Sequence, residues 1–73
     1  MIKPSEHAPA TAELIQTLVP QYFQSDVIQV VNGDGSVAAQ LVRQRFDHIF
    51  FTGGGRIGAK VLEGAAANLT PVT

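Results

Sequence analysis

The sequence predicts an α/β fold: a partial doubly wound parallel sheet, Rossmann-like, truncated at both ends. Three observations carry that reading. Short β-branched runs alternate with amphipathic runs along all 73 residues, a glycine cluster sits where one strand-like run meets a helix-like run, and only two of the four strand-like runs are complete. Strict alternation implies parallel strands joined by right-handed crossovers. Two whole strands and two stubs do not close a layer, so residues 1–73 read as a portion of one larger domain.

Each element has its own signal. Met1-Ile2 is the tail of a strand that stops at Lys3-Pro4-Ser5-Glu6, because Pro4 has no N–H to give a ladder and biases Lys3 toward extended backbone. A helix is expected from about Ala8 to Val19. Pro9 suits its first turn, Leu14, Ile15, Leu18 and Val19 make its apolar face, and Thr11, Glu13, Gln16 and Thr17 point away. Pro20 is expected to end or kink it, with Tyr22 and Phe23 packing over the end. Val27-Ile28-Gln29-Val30-Val31 reads as a second strand, nearly continuous in apolar character, as parallel strands covered on both faces are.

Asn32-Gly33-Asp34-Gly35 breaks the chain, and Asp34 or Ser36 can cap a short helix reaching about Gln44, with Val37, Leu41 and Arg45 four apart. His48-Ile49-Phe50-Phe51-Thr52 is β-branched and aromatic and reads as a buried strand. After the glycines, Ile57, Val61, Ala65 and Leu69 recur every four residues and predict a third helix. Thr70-Pro71-Val72-Thr73 then looks like the entry to another strand.

Composition excludes several function classes. With 45% hydrophobic and 15% charged residues the chain is too apolar for disorder. A net charge of −1 and the absence of a basic cluster argue against nucleic acid and give no pull toward anionic membranes. There is no cysteine, hence no disulfide, thiolate metal site or cysteine nucleophile. His7 and His48 lack partners at ligand spacing, so no metal is expected; His48 reads as a packed structural residue and His7 as part of a surface turn. No apolar run is long enough for a membrane segment and no signal peptide follows Met1, which makes a cytoplasmic location the default expectation.

The chemistry lies in Phe50-Phe51-Thr52-Gly53-Gly54-Gly55-Arg56-Ile57-Gly58. The first N–H groups of a helix have no intrahelical partner, the macrodipole is positive there, and residues without Cβ let a diphosphate approach the main chain. Gly53, Gly55 and Gly58 fit G-x-G-x-x-G. Two things are missing, however. The usual fingerprint needs an acid roughly 20 positions downstream for the ribose, and Glu63 is the only later acid; Lys60 does not fit P-loop spacing. A glycine turn that merely packs closely explains the same residues.

Longer segments are more specific. Lys3-Pro4-Ser5-Glu6-His7-Ala8-Pro9, Val30-Val31-Asn32-Gly33, Arg45-Phe46-Asp47-His48-Ile49-Phe50-Phe51-Thr52-Gly53 and Ala65-Ala66-Ala67-Asn68-Leu69-Thr70-Pro71-Val72-Thr73 together resemble the aldehyde dehydrogenase superfamily, most closely its class 3 type. The likeness runs from end to end. It implies that residues 1–73 are a partial NAD(P)-binding domain and that Lys3 and Glu6, upstream of the glycines, hold the adenosine ribose of NAD or NADP. By the same resemblance Gly53, Gly54, Gly55 and Gly58 form the turn under the diphosphate, and Ile57 and Val61 belong to an apolar slot for adenine. Where relatives carry Ser or Asn, Gly54 keeps only its backbone donor; the lost neutral hydrogen bond is worth on the order of 1 kcal/mol. Arg56 is placed to face a phosphate or to be a solvated charge.

The resemblance further implies a reaction that this chain does not complete. In the family a cysteine thiolate attacks the aldehyde, hydride passes to the nicotinamide, and a glutamate activates water to release the acid. The chain has no cysteine, and the family's general-base glutamate and oxyanion-stabilising asparagine fall outside residues 1–73. No catalytic residue is therefore assigned. The expected partners are the nicotinamide dinucleotide and, in an intact and homo-oligomeric parent enzyme, the aldehyde. Two alternatives stay open: a stand-alone nucleotide-binding or docking module without catalysis, and a nonfunctional truncated product.

Overall fold

The computed structural model describes residues 1–73 and contains three helices in the order α1 (Pro9–Tyr22), α2 (Gly35–Leu41) and α3 (Gly55–Ala66). The chain forms two compact units, Met1–Val37 and Ala38–Thr73. All three helices fall where the apolar spacing predicts. The strands do not form as continuous elements: in their place are two isolated parallel bridges, Ile2 with Val30 and Ile49 with Val72.

Proline limits each pairing on one side. In the first unit the Ile2 N–H donates to Gln29 O (2.8 Å) and Val31 N–H to Ile2 O (2.9 Å). The next rung of a parallel ladder would need a donor at Pro4, which has none. In the second unit the Ile49 N–H donates to Pro71 O (2.9 Å), Thr73 N–H to Ile49 O (2.9 Å) and Phe51 N–H to Thr73 O (2.8 Å). Here the preceding rung would need the missing donor of Pro71. The expected whole strands are thus single-rung contacts, and neither is buried on both faces: Val27 lies in a turn and is exposed, and His48, Phe50 and Thr52 alternate outward from half-buried Ile49 and Phe51.

α1 departs from its expected face. Ala12 is its one buried residue and Ile15 and Val19 are half-buried, while Leu14 and Leu18 are exposed. Positions 12, 15 and 19 make an inward stripe as regular as 14, 15, 18 and 19, and the small Ala12 permits the closer approach. Pro20 does not stop the helix, which runs two residues further and closes with Phe23 N–H on Val19 O (2.9 Å). Pro20 removes only the bond to Gln16 O, near the end of the helix. Tyr22 and Phe23 do not pack over that end; Tyr22 is 76% exposed.

α2 starts as its sequence indicates. Asp34 Oδ1 accepts from Ser36 N–H (3.0 Å), Ser36 Oγ (2.6 Å) and Val37 N–H (3.4 Å), so Asp34 is the cap and Ser36 supports it. The Ser36 hydroxyl first, and then the Val37 and Ser36 amides, hold the Asp34 carboxyl below the ordinary carboxylate range. The helix ends at Leu41, short of Gln44.

α3 is seated by small residues. Val61, Gly64 and Ala65 are its buried positions, and a Cβ on Gly64 would come within 2.5 Å of Val42 Cγ2. Its end is a Schellman turn: Thr70 N–H reaches Ala65 O and Leu69 N–H reaches Ala66 O, both 3.1 Å, with Asn68 Nδ2 donating to Arg43 O at 2.7 Å. Leu69 occupies the left-handed position of that turn (φ 56°) and is 90% exposed, so it does not continue the helical stripe.

The buried apolar set is only Ala12, Val61 and Ala65, while Tyr22, Phe50, Val27 and Leu62 face outward. Full burial of a valine contributes roughly 1.5 kcal/mol or more, too little to offset the ordering of so many residues. Expressed alone, the chain is therefore expected to be partly folded or self-associating. Circular dichroism melting with sedimentation checks this; a cooperative transition of a monomer above about 45 °C, the lower edge of ordinary mesophile stability, would contradict it.

Candidate cofactor-binding site

The first unit presents Glu6 at the edge of a cavity of about 230 Å³ lined by Pro4, Ser5, Glu6, Pro9, Ala12, Glu13, Asn32 and Gly33. Local hydrogen bonds shape this rim. Ser5 Oγ accepts from His7 N–H (3.2 Å) and Ser5 O from Ala8 N–H (3.3 Å), so residues 5–8 turn tightly into α1 and hold Glu6 outward. Asn32 ties the far wall to the helix: its Nδ2 donates to Ala12 O (3.3 Å) and Gln16 Oε1 (3.1 Å), while Oδ1 is buried without a partner. Lys3, the other expected ribose residue, is half-buried and does not line the cavity. Its Nζ donates to Pro4 O at 3.1 Å.

Glu13 is exposed, as expected of the polar side of α1, and from there it lines this open cavity with Glu6. Asn32 reads in the sequence as a chain-breaking turn residue, and nothing in its spacing marks the tether to Ala12 and Gln16, which are 20 and 16 residues away.

The second unit holds the glycine turn, and its four glycines divide by role. Gly53 has φ 156°, and a Cβ there would lie 2.6 Å from Phe51 Cζ. A Cβ on Gly58 would meet the same ring at 3.4 Å. Close packing against Phe51 accounts for Gly53, while the approach at Gly58 is ordinary van der Waals contact. At Gly54 and Gly55 a Cβ would meet nothing within 4 Å, and both are exposed. No packing inside the chain calls for glycine there.

The helix start itself is uncovered. Gly54 precedes α3 with extended backbone (φ −75°, ψ 159°), no side chain caps the first turn, and the first intrahelical bond is Gly58 N–H to Gly54 O at 2.9 Å. The earlier N–H groups keep their capacity for an acceptor. α2 shows the contrast, since Asp34 fills the equivalent place there. Ile57 is exposed beside this start, whereas Val61 is buried, so the exposed apolar surface here is that of Ile57. Arg56 is exposed on the same turn. His48 is not packed: its exposed ring meets Thr73 Oγ1 at 2.8 Å across the Ile49 bridge. No helix is long and apolar enough to cross a membrane.

Set against known proteins, the chain is similar over its whole length to aldehyde dehydrogenases. It is 48% identical over 73 residues to aldehyde dehydrogenase family 3 member A2 of Macaca fascicularis, covering 100% of this chain and 15% of that protein. It is 41% identical over 73 residues to the dimeric NADP-preferring aldehyde dehydrogenase of Mus musculus, covering 100% of this chain and 16% of that one. The solved substrate-bound state of Staphylococcus aureus AldH superposes with a TM-score of 0.94 at 39% identity, over 99% of this chain and 16% of that chain. The chain thus spans about one sixth of the proteins it resembles. The model of the aldehyde dehydrogenase family matches residues 1–73, and the chain belongs to that family.

Proposed function

We propose that residues 1–73 are the adenosine- and diphosphate-binding segment of an NAD(P)-dependent aldehyde dehydrogenase, folded as part of a doubly wound parallel α/β domain. The observation that carries this reading is the bare start of α3: uncapped N–H groups beside two exposed glycines, Gly54 and Gly55, whose missing side chains nothing in the protein explains. A diphosphate explains them, because it needs close access to those donors and a positive helix end. Glu6, at the mouth of its cavity, supplies an acceptor for ribose hydroxyls. Ile57 offers apolar surface to the adenine, while Lys3 stands outside the cavity lining with its ammonium on Pro4 O.

When bound, the nicotinamide dinucleotide accepts a hydride as an aldehyde is oxidised to the acid. The residues of this chain hold the distal, unreactive end of the cofactor. With no cysteine it has no thiolate to attack an aldehyde, so alone it is inactive. The setting we propose is a longer, homo-oligomeric enzyme, in keeping with a relative named as dimeric; its cofactor is NAD or NADP.

Position 54 tests the phosphate site without disturbing packing. In the full-length enzyme carrying this segment, Gly54→Ser adds a donor into open space and is expected to tighten the dinucleotide about fivefold, the worth of one neutral hydrogen bond. Gly54→Asp is expected to weaken it by about tenfold or more through like-charge repulsion, although Asp is the better helix cap and stabilises α3. Calorimetric titration checks both. Equal affinities for the Ser and Asp variants would show that no phosphate reaches this turn.

A further inference from the structure

The cavity at Glu6 carries charge of one sign only. We infer that Glu13 is a specificity-determining residue that, with Glu6, makes this ribose pocket favour NAD over NADP by excluding the 2′-phosphate. The inference rests on the proposed role of Glu6 toward the ribose.

Glu6 and Glu13 are the only charged side chains lining the cavity. Its other polar side chains cannot balance them. Both donors of the Asn32 amide are engaged, with Ala12 O and Gln16 Oε1, which leaves an acceptor oxygen. Ser5 contributes one neutral hydroxyl, already accepting from His7 N–H. The nearest cation in sequence, Lys3, lies outside the lining with its ammonium on Pro4 O. A 2′-phosphate brings nearly two negative charges and needs basic partners; a 2′-hydroxyl is a neutral donor that suits carboxylates. Room is not the limit, because about 230 Å³ accommodates a sugar-sized group.

Glu13 has no local duty that would account for it. It lies beyond the first turn of α1, which holds no acidic residue and so draws no support from the helix dipole there. Its carboxylate makes no hydrogen bond within the protein, unlike that of Asp34.

The test is titration of NAD and NADP into the full-length enzyme and its Glu13→Gln and Glu6→Gln variants at low and physiological salt. For Glu13→Gln the ratio of NADP to NAD dissociation constants is expected to fall about three- to tenfold, the scale of like charges at sugar-pocket separations in water. In the unmodified enzyme that ratio should fall as salt rises, and in Glu13→Gln it should flatten, because screening has less repulsion to remove. An unchanged ratio in Glu13→Gln, alongside a Glu6→Gln variant that loses about tenfold or more in NAD affinity, overturns the role of Glu13 and leaves the ribose site standing. Glu6→Gln without effect on either dinucleotide overturns the ribose site, and the inference with it.

Discussion

The ring of Phe51 organises the second unit. It lies so close to Gly53 that a Cβ there would sit 2.6 Å from Cζ, and it also touches the space in front of Gly58. Phe51 is itself anchored, its N–H donating to Thr73 O at 2.8 Å beside the Ile49–Val72 bridge. One aromatic side chain therefore sets where the backbone turns and where α3 begins. Gly53 must be glycine for two reasons at once, its φ of 156° and the ring against it. With the turn held from inside, Gly54 and Gly55 are released to face outward.

That division separates a glycine held by packing from glycines that packing leaves free. The pattern G-x-G-x-x-G mixes the two kinds: Gly53 answers to packing, a Cβ at Gly58 would make only an ordinary contact, and a Cβ at Gly54 or Gly55 would meet nothing within 4 Å. The same contrast holds between helix starts. α2 satisfies its first amides with the Asp34 carboxylate, whereas α3 leaves them without a side-chain cap. The start of α1, at Ala8, likewise has no side-chain cap, so α3 is set apart by its exposed glycines rather than by the missing cap alone.

The three helices and their order were legible from apolar periodicity and from capping residues such as Asp34. Faces were less so. Leu14 and Leu18 outweigh Ala12 in hydrophobicity, yet the small residue permits the closest approach and decides which side of α1 is buried. The strand-like runs were visible, but one limit on their pairing is which partner residue lacks an N–H, and only pairing Ile2 with Val30 and Ile49 with Val72 shows that Pro4 and Pro71 each stop a rung on one side. At the site, the resemblance pointed to Glu6 and the glycines. The tether of Asn32 to Ala12 and Gln16, and the exclusion of Lys3 from the cavity lining, arise from three-dimensional contacts without sequence periodicity.

The most direct measurement is a crystal structure of the full-length enzyme with NAD bound. The diphosphate should lie within about 3.2 Å, the ordinary hydrogen-bonding range, of a backbone N–H in the first turn of α3, with a ribose hydroxyl on the Glu6 carboxylate. A dinucleotide bound with its diphosphate away from Gly54 and Gly55, and that turn covered by protein, would contradict the account.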